Sequence, residues 1–197
     1  MGDIKSAREI AMEKVEKLGE ASEEERLRWK YAPEGEKLAA RYLKERSNLV
    51  AELGKYEAKA ARYVVAGASE VLVRNLDLPR DDAARRKNKR AMDGLKTLKQ
   101  DKASVENVFS GIRRIFDHYQ GQGEQQKKQS YESLKAEFTA KVQQAIQQQY
   151  GGQPLGFKIN VERQPQFQEE WRRVLASLDA QYYKLLDEYK RELAALS

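Results

Sequence analysis

Apolar residues return every three or four positions from Phe167 to the end of the chain: Phe167, Trp171, Val174, Leu178, Tyr182, Leu185, Tyr189, Leu193 and Leu196. Grouped by eleven they become Phe167–Leu178–Tyr189, Trp171–Tyr182–Leu193 and Val174–Leu185–Leu196. A repeat of eleven corresponds to about 3.67 residues per turn, so such a helix packs nearly straight or with a slight right-handed coil. The same stride recurs at Leu38–Leu49–Ala60–Val71 and Tyr42–Leu53–Val64. Matching periods make these two stripes natural packing partners. In the middle of the chain the period shortens to seven, with Leu98–Val105–Ile112–Tyr119 in one row. A second row, Leu95–Lys102–Phe109–Phe116, is interrupted by Lys102.

Turn and cap signals divide this pattern into elements. Ser6 with Glu9, and Ser22 with Glu25, have the capping-box spacing that opens a helix. The first box predicts a helix with Ile4, Ala7, Ala11, Val15 and Leu18 on one face, interrupted by Gly19. The second predicts a helix ending before Pro33, because a residue preceding proline is steered away from helix. Pro33 then opens a helix to about Asn75, roughly 64 Å long at 1.5 Å per residue. Gly67 within it reads as a point of close helix contact.

Leu76-Asp77-Leu78-Pro79 reads as a turn, and Asp81 and Asp82 suit the first turn of the helix after it. That helix is predicted to run to Gly121-Gln122-Gly123. A further helix spans about Glu124–Gln149, presenting Tyr131, Leu134, Phe138, Val142, Ala145 and Ile146. Residues 150–166 form the clearest irregular stretch and a possible sub-boundary. Phe157–Val161 alternates as a strand would, but lacks a second strand to pair with and is read as extended linker. Pro165 opens the last helix. The expected fold is all-α, a single elongated antiparallel helical bundle over residues 1–197 with coiled-coil-like packing of hendecad and heptad type.

Composition leaves this picture standing and narrows the chemistry. Charged residues are 35% and apolar residues 40% of the chain, averages that a disordered chain could share. Periodic apolar positions argue against disorder. The absence of cysteine removes disulfides and thiolate metal sites, and fits a reducing cytoplasm. No segment is apolar over the roughly 20 residues that a spanning helix needs. The start of the chain carries charges where a signal peptide needs an apolar core. Its Met-Gly opening formally matches a myristoylation pattern, read here as part of the Ser6 cap.

His118 is the single histidine, so nucleophile–base arrangements and His-containing di-iron sites have no residues to build on. Its place beside Phe116 and Tyr119, at a predicted helix end, suits a structural role. No phosphate-loop spacing occurs. No cofactor, metal or small-molecule substrate is expected.

Charge is concentrated in one place. Residues 80–102 hold nine basic and four acidic residues, an excess of five, against six for the whole chain. Arg85, Arg86, Lys89 and Arg90 are the candidates for contact with phosphates or with an acidic partner. The segment has no aromatic residue before Phe109 to stack on bases, so any nucleic-acid binding is expected to be non-specific. Fourteen glutamines between Gln120 and Gln168 give a polar, uncharged helix surface.

The opening residues Ala7–Lys14 and Glu23–Leu27, with Trp29-Lys30-Tyr31 and Pro33–Leu38, resemble a family of uncharacterised bacterial helical proteins over residues 7–60. The resemblance implies a bacterial cytoplasmic setting and no activity. In period alone the eleven-residue stripes are similar to the peripheral stalks of rotary ATPases. The expected function is a non-enzymatic scaffold, adaptor or assembly subunit, with a protein partner or self-association. Phe167, Trp171, Leu178 and Leu185 are its candidate helix-packing interface. The alternative is a nucleic-acid-associated protein acting through residues 80–102.

Overall fold

A computed structural model describes residues 8, 12, 21–45, 47–150 and 160–196, with Gln149 and Tyr150 described by backbone alone. The Ser6 cap, most of the helix expected after it and residues 151–159 of the stretch expected to be irregular lie outside the described residues. Among the described residues the protein is all-α, with no strand.

The first helix, α1, is Glu23–Lys44. Its capping box is complete: the Glu25 amide donates to Ser22 Oγ at 3.2 Å and the Ser22 amide to Glu25 Oε2 at 2.8 Å. These bonds hold the Glu25 carboxyl below its ordinary range. Contrary to expectation, α1 runs straight through Pro33. The amide that proline lacks falls on an exposed face, where water can serve the released carbonyl.

The long helix expected from Pro33 to Asn75 is broken twice. After α1 the chain turns at Glu45, and Asn48 caps a short helix, α2, Leu49–Leu53. Gly54 closes that helix, and α3 follows as Ala58–Arg74. Leu38, Leu49 and Ala60 are still buried. The eleven-residue spacing therefore marks core positions without marking one continuous helix.

The Leu76–Pro79 turn is present, and Asp81 caps α4, Asp82–Leu98, by accepting from the Ala84 amide at 2.7 Å. Residues 99–101 interrupt the next stretch, and Asp101 caps α5, Lys102–His118, through Ser104. Lys102 thus breaks its heptad row because it is the first residue of a new helix. Leu98, Val105, Ile112 and Tyr119 of the other row are all buried.

Gly121-Gln122-Gly123 does not end the helix. Tyr119–Gly123 forms a π-helical turn that leads directly into α6, Glu124–Tyr150. Glycine is disfavoured in helix interiors only by about 1 kcal/mol, and here the wider turn accommodates it. A 3₁₀ turn at Val161–Arg163 precedes α7, which begins at Pro165 as expected and ends at Ala195.

Backbone contacts group the chain into two compact units, residues 1–76, 86–106 and 193–197 in one, and 77–85 with 107–192 in the other. One division falls in the Leu76–Pro79 turn and the other three inside α4, α5 and α7.

In the first unit α1 packs on α3. The two backbones approach so closely that a β-carbon on Gly35 would stand 2.8 Å from the Ala68 nitrogen. Gly94 of α4 faces Leu72 and Tyr42, where a β-carbon would lie 2.8 and 2.9 Å from side-chain carbons.

In the second unit residues 107–150 run antiparallel to α7, as successive pairs demonstrate. Gly111 lies against the Tyr189 ring. Tyr119 stands edge-on to Tyr182 at 5.0 Å, and Tyr131 edge-on to Trp171 at 5.0 Å. Over residues 167–189 the partner of the last helix is therefore this heptad-bearing stretch.

Candidate functional site

The stripe of α7 is placed unevenly. Phe167 is fully buried, edge-on to Tyr131 at 5.6 Å and to Phe138 at 5.4 Å. Trp171 and Leu178 are half-buried. Leu185 is 47% exposed, whereas its neighbour Leu186 is completely buried. Within this chain the buried position of that turn is therefore Leu186, while Val174 and Leu175 are both half-buried.

Around the π turn the second unit holds a polar cluster. Asp179 accepts from Arg80 at 2.9 Å and from the Tyr119 hydroxyl at 3.0 Å, with Lys127 Nζ 3.5 Å away. Lys127 in turn donates to the Tyr119 hydroxyl at 2.6 Å. Arg80 also donates to the Tyr183 hydroxyl at 3.0 Å, which donates to Asp77 at 2.6 Å.

Burial, and then the hydrogen bond to Asp77, push the Tyr183 hydroxyl up to about 12. For Lys127, burial opposes the charge, but bonds to Tyr119 and Glu124 raise it above the ordinary lysine range. His118 Nδ1 lies 3.0 Å from the Tyr182 hydroxyl. The histidine is not at a helix end, because the π turn carries the helix onward. The named polar groups of this cluster satisfy one another, which suits a structural lock that fixes the π turn.

The basic candidates divide into held and unheld. Arg85 pairs with Asp82 three residues before it. Arg90 donates to the Glu45 carbonyl and stacks 4.7 Å from the Tyr42 ring centre. Arg90 is thus committed to local structure, whereas the Arg85–Asp82 pair is exposed and holds its guanidinium only weakly. Arg86 and Lys89 are exposed, as is Lys87 between them. Farther along, Lys96 pairs with Glu106 at 3.0 Å. The structure thus brings forward Arg86, Lys87 and Lys89 from the cluster.

One surface was missed by reading the sequence. On the side of α3 turned away from α1 lies a cleft of about 950 Å³, lined by Ala58, Ala61, Val65, Ala66, Ser69 and Val73. The ends of α4 and α7 form its far wall, through Leu98, Lys99 and Leu196. Lys99 donates to the Leu196 carbonyl, and burial pulls its ammonium below the ordinary lysine range.

Arg62, Glu70 and Arg74 stand along the cleft. Arg62 bonds Glu24 at 2.9 Å and Glu70 bonds Arg74 at 2.7 Å, all on exposed side chains. Ser69 is only 6% exposed, and its hydroxyl oxygen has no hydrogen-bond partner. A buried hydroxyl left so costs about 1–3 kcal/mol, which makes it an unfinished contact. The signal in the sequence was Ala58, Ala61, Val65, Ala66 and Ser69 at helical spacing, a second small-residue face beside the one that holds Gly67.

The chain belongs to a family of unknown function, DUF6657, whose pattern matches residues 50–195. The match includes α3, the basic segment and α7, and lies mostly beyond residues 7–60, where the resemblance was read. No curated protein and no solved structure matches the chain.

Proposed function

We propose that this protein is a non-enzymatic helical interaction subunit, a scaffold, adaptor or assembly component of a bacterial cytoplasm, and that the outward face of α3 is its contact surface. One observation carries the reading: the cleft beside α3 is floored by small apolar side chains and contains the buried Ser69 hydroxyl with no partner. Small side chains let a second helix approach closely. A lone histidine and the lack of cysteine support a reading without catalysis.

The test is a photo-reactive benzoylphenylalanine at Ala66, introduced into the protein in the cells that make it. The reading expects a discrete polypeptide adduct from Ala66 and none from exposed Ala83 on α4. Irradiation without a discrete adduct at Ala66 would contradict it.

A second reading, a nucleic-acid-associated protein, is favoured by Arg86, Lys87 and Lys89 standing exposed in sequence. Phosphates attract such cations whatever the base sequence. It ranks lower because Arg90 is already engaged by the Glu45 carbonyl and the Tyr42 ring.

A further inference from the structure

Charges along the α3 cleft have a symmetry of their own. Ala66 is exposed at its centre, Arg62 lies four residues before it and Glu70 four residues after. Four residues is about one helical turn, so all three share one face. An axis of twofold symmetry through Ala66 exchanges the two charges. A second α3 laid antiparallel on the first therefore sets each Arg62 opposite the other chain's Glu70, twice over. Closed dimers use such self-complementary patches, in which residue i meets j and j meets i.

From this arrangement we propose that the partner at the α3 cleft is a second copy of this chain, docked antiparallel about Ala66. The proposal rests on the reading of α3 as a contact surface and names its occupant. Exposed Ala58 and Ala66 allow the two helices to come close, while the half-buried Val65 supplies apolar area. The present partners of the two charges do not oppose the exchange. Arg62 with Glu24 and Glu70 with Arg74 are exposed pairs, and such pairs are worth little; Arg62 also donates to the hydroxyl of its neighbour Tyr63 at 2.6 Å, a contact that the exchange would have to replace or keep. A single pair of helices sits at the small end of the roughly 1,200–2,000 Å² typical of specific interfaces.

Light scattering on the purified full chain, over about 1–500 µM, gives the direct reading against the 22.7 kDa of one chain. The proposal expects a mass rising toward twice that value. Arg62→Glu alone and Glu70→Arg alone each set like charges opposite one another and should raise the dissociation constant about tenfold or more. The double variant restores both pairs and should recover most of that loss, with unchanged circular dichroism in all three.

The chain has no cysteine, so Ala66→Cys introduces a single thiol, placed on the axis. Under oxidised glutathione this variant should form a covalent dimer, and Ala83→Cys should not. A monomer at every concentration, or a dimer indifferent to both reversals and without a disulfide in the Ala66→Cys variant, overturns the proposal. If the purified chain is monomeric while Ala66 photo-cross-links a different protein in cells, self-docking fails and the interaction reading stands. If no adduct forms at all, both fail.

Discussion

Gly67 rests directly on the backbone of Ala32: a β-carbon on Gly67 would lie 2.9 Å from the Ala32 carbonyl carbon. Gly35 makes the reciprocal approach to Val64 and Ala68. Glycine is required at this crossing because the neighbour is backbone, which cannot move aside as a flexible side chain can. With α1 held so closely on one face, the opposite face of α3 is left to the cleft.

Gly67→Ala is expected to cost about 1–3 kcal/mol through overpacking. Gly54 is the control, since its nearest neighbours to an added β-carbon lie at 3.5 and 3.7 Å and its φ is −63°. Gly54→Ala should be neutral or stabilise by up to about 1 kcal/mol. Urea unfolding of the two variants checks the contrast. Equal midpoints would contradict the close crossing.

A second pair of variants reads the register of α7. Leu186→Ala removes a fully buried side chain and should cost about 2–5 kcal/mol. Leu185→Ala, on the exposed neighbour, should stay within about 0.5 kcal/mol. The reverse order would place the buried row where the hendecad first put it.

That register error defines what the sequence could tell. Periodicity located the helical regions, the Ser22 box, the Leu76–Pro79 turn and the start at Pro165. It could not separate Leu185 from Leu186, because both are leucine and the difference is decided by what stands opposite. Nor could it see the breaks after Lys44 and after Leu53, since buried positions keep their spacing across a reorienting turn. Pro33 and Gly121–Gly123 misled for the opposite reason. Each weakens a helix locally, and in both places continuing the helix served the surrounding packing better than stopping it. The α3 cleft was invisible because small residues at helical spacing read equally as core.

The Tyr183 hydroxyl gives a pH dependence of definite sign. Its folded value, about 12, lies above the ordinary 10.0 of tyrosine, so the folded state holds the proton more tightly than the unfolded state. Its contribution is therefore complete below pH 10 and is lost as pH rises through about 12. Tyr183→Phe should lower the urea midpoint at neutral pH, and the gap from wild type should narrow over that alkaline window. A gap constant up to pH 12 would contradict the Tyr183–Asp77 bond.

For the basic segment, the informative variant replaces Arg86, Lys87 and Lys89 together with Gln, leaving Arg90 on Tyr42 and Glu45. Duplex DNA binding by the wild type is expected to be weak and gone by about 150 mM salt. Each phosphate contact adds about 0.9 to the log–log salt slope, so the triple variant can flatten it by at most about 2.7. Binding that survives physiological salt and vanishes in the variant would favour the nucleic-acid reading.

The outward face of α3 can be interrogated most directly through its accessibility inside the cell. One strain carries Ala66→Cys as the only thiol of the protein, and another carries Ala83→Cys. Maleimide labelling rates of the protein in intact cells are compared with those of each purified, diluted variant. A covered α3 face predicts that the thiol at position 66 reacts at least about tenfold more slowly in cells than when diluted, while the thiol at position 83 reacts equally fast in both. Labelling at position 66 as fast in cells as in dilute solution would mean that nothing docks on α3, and the account of this protein as an interaction subunit acting through that face would be wrong.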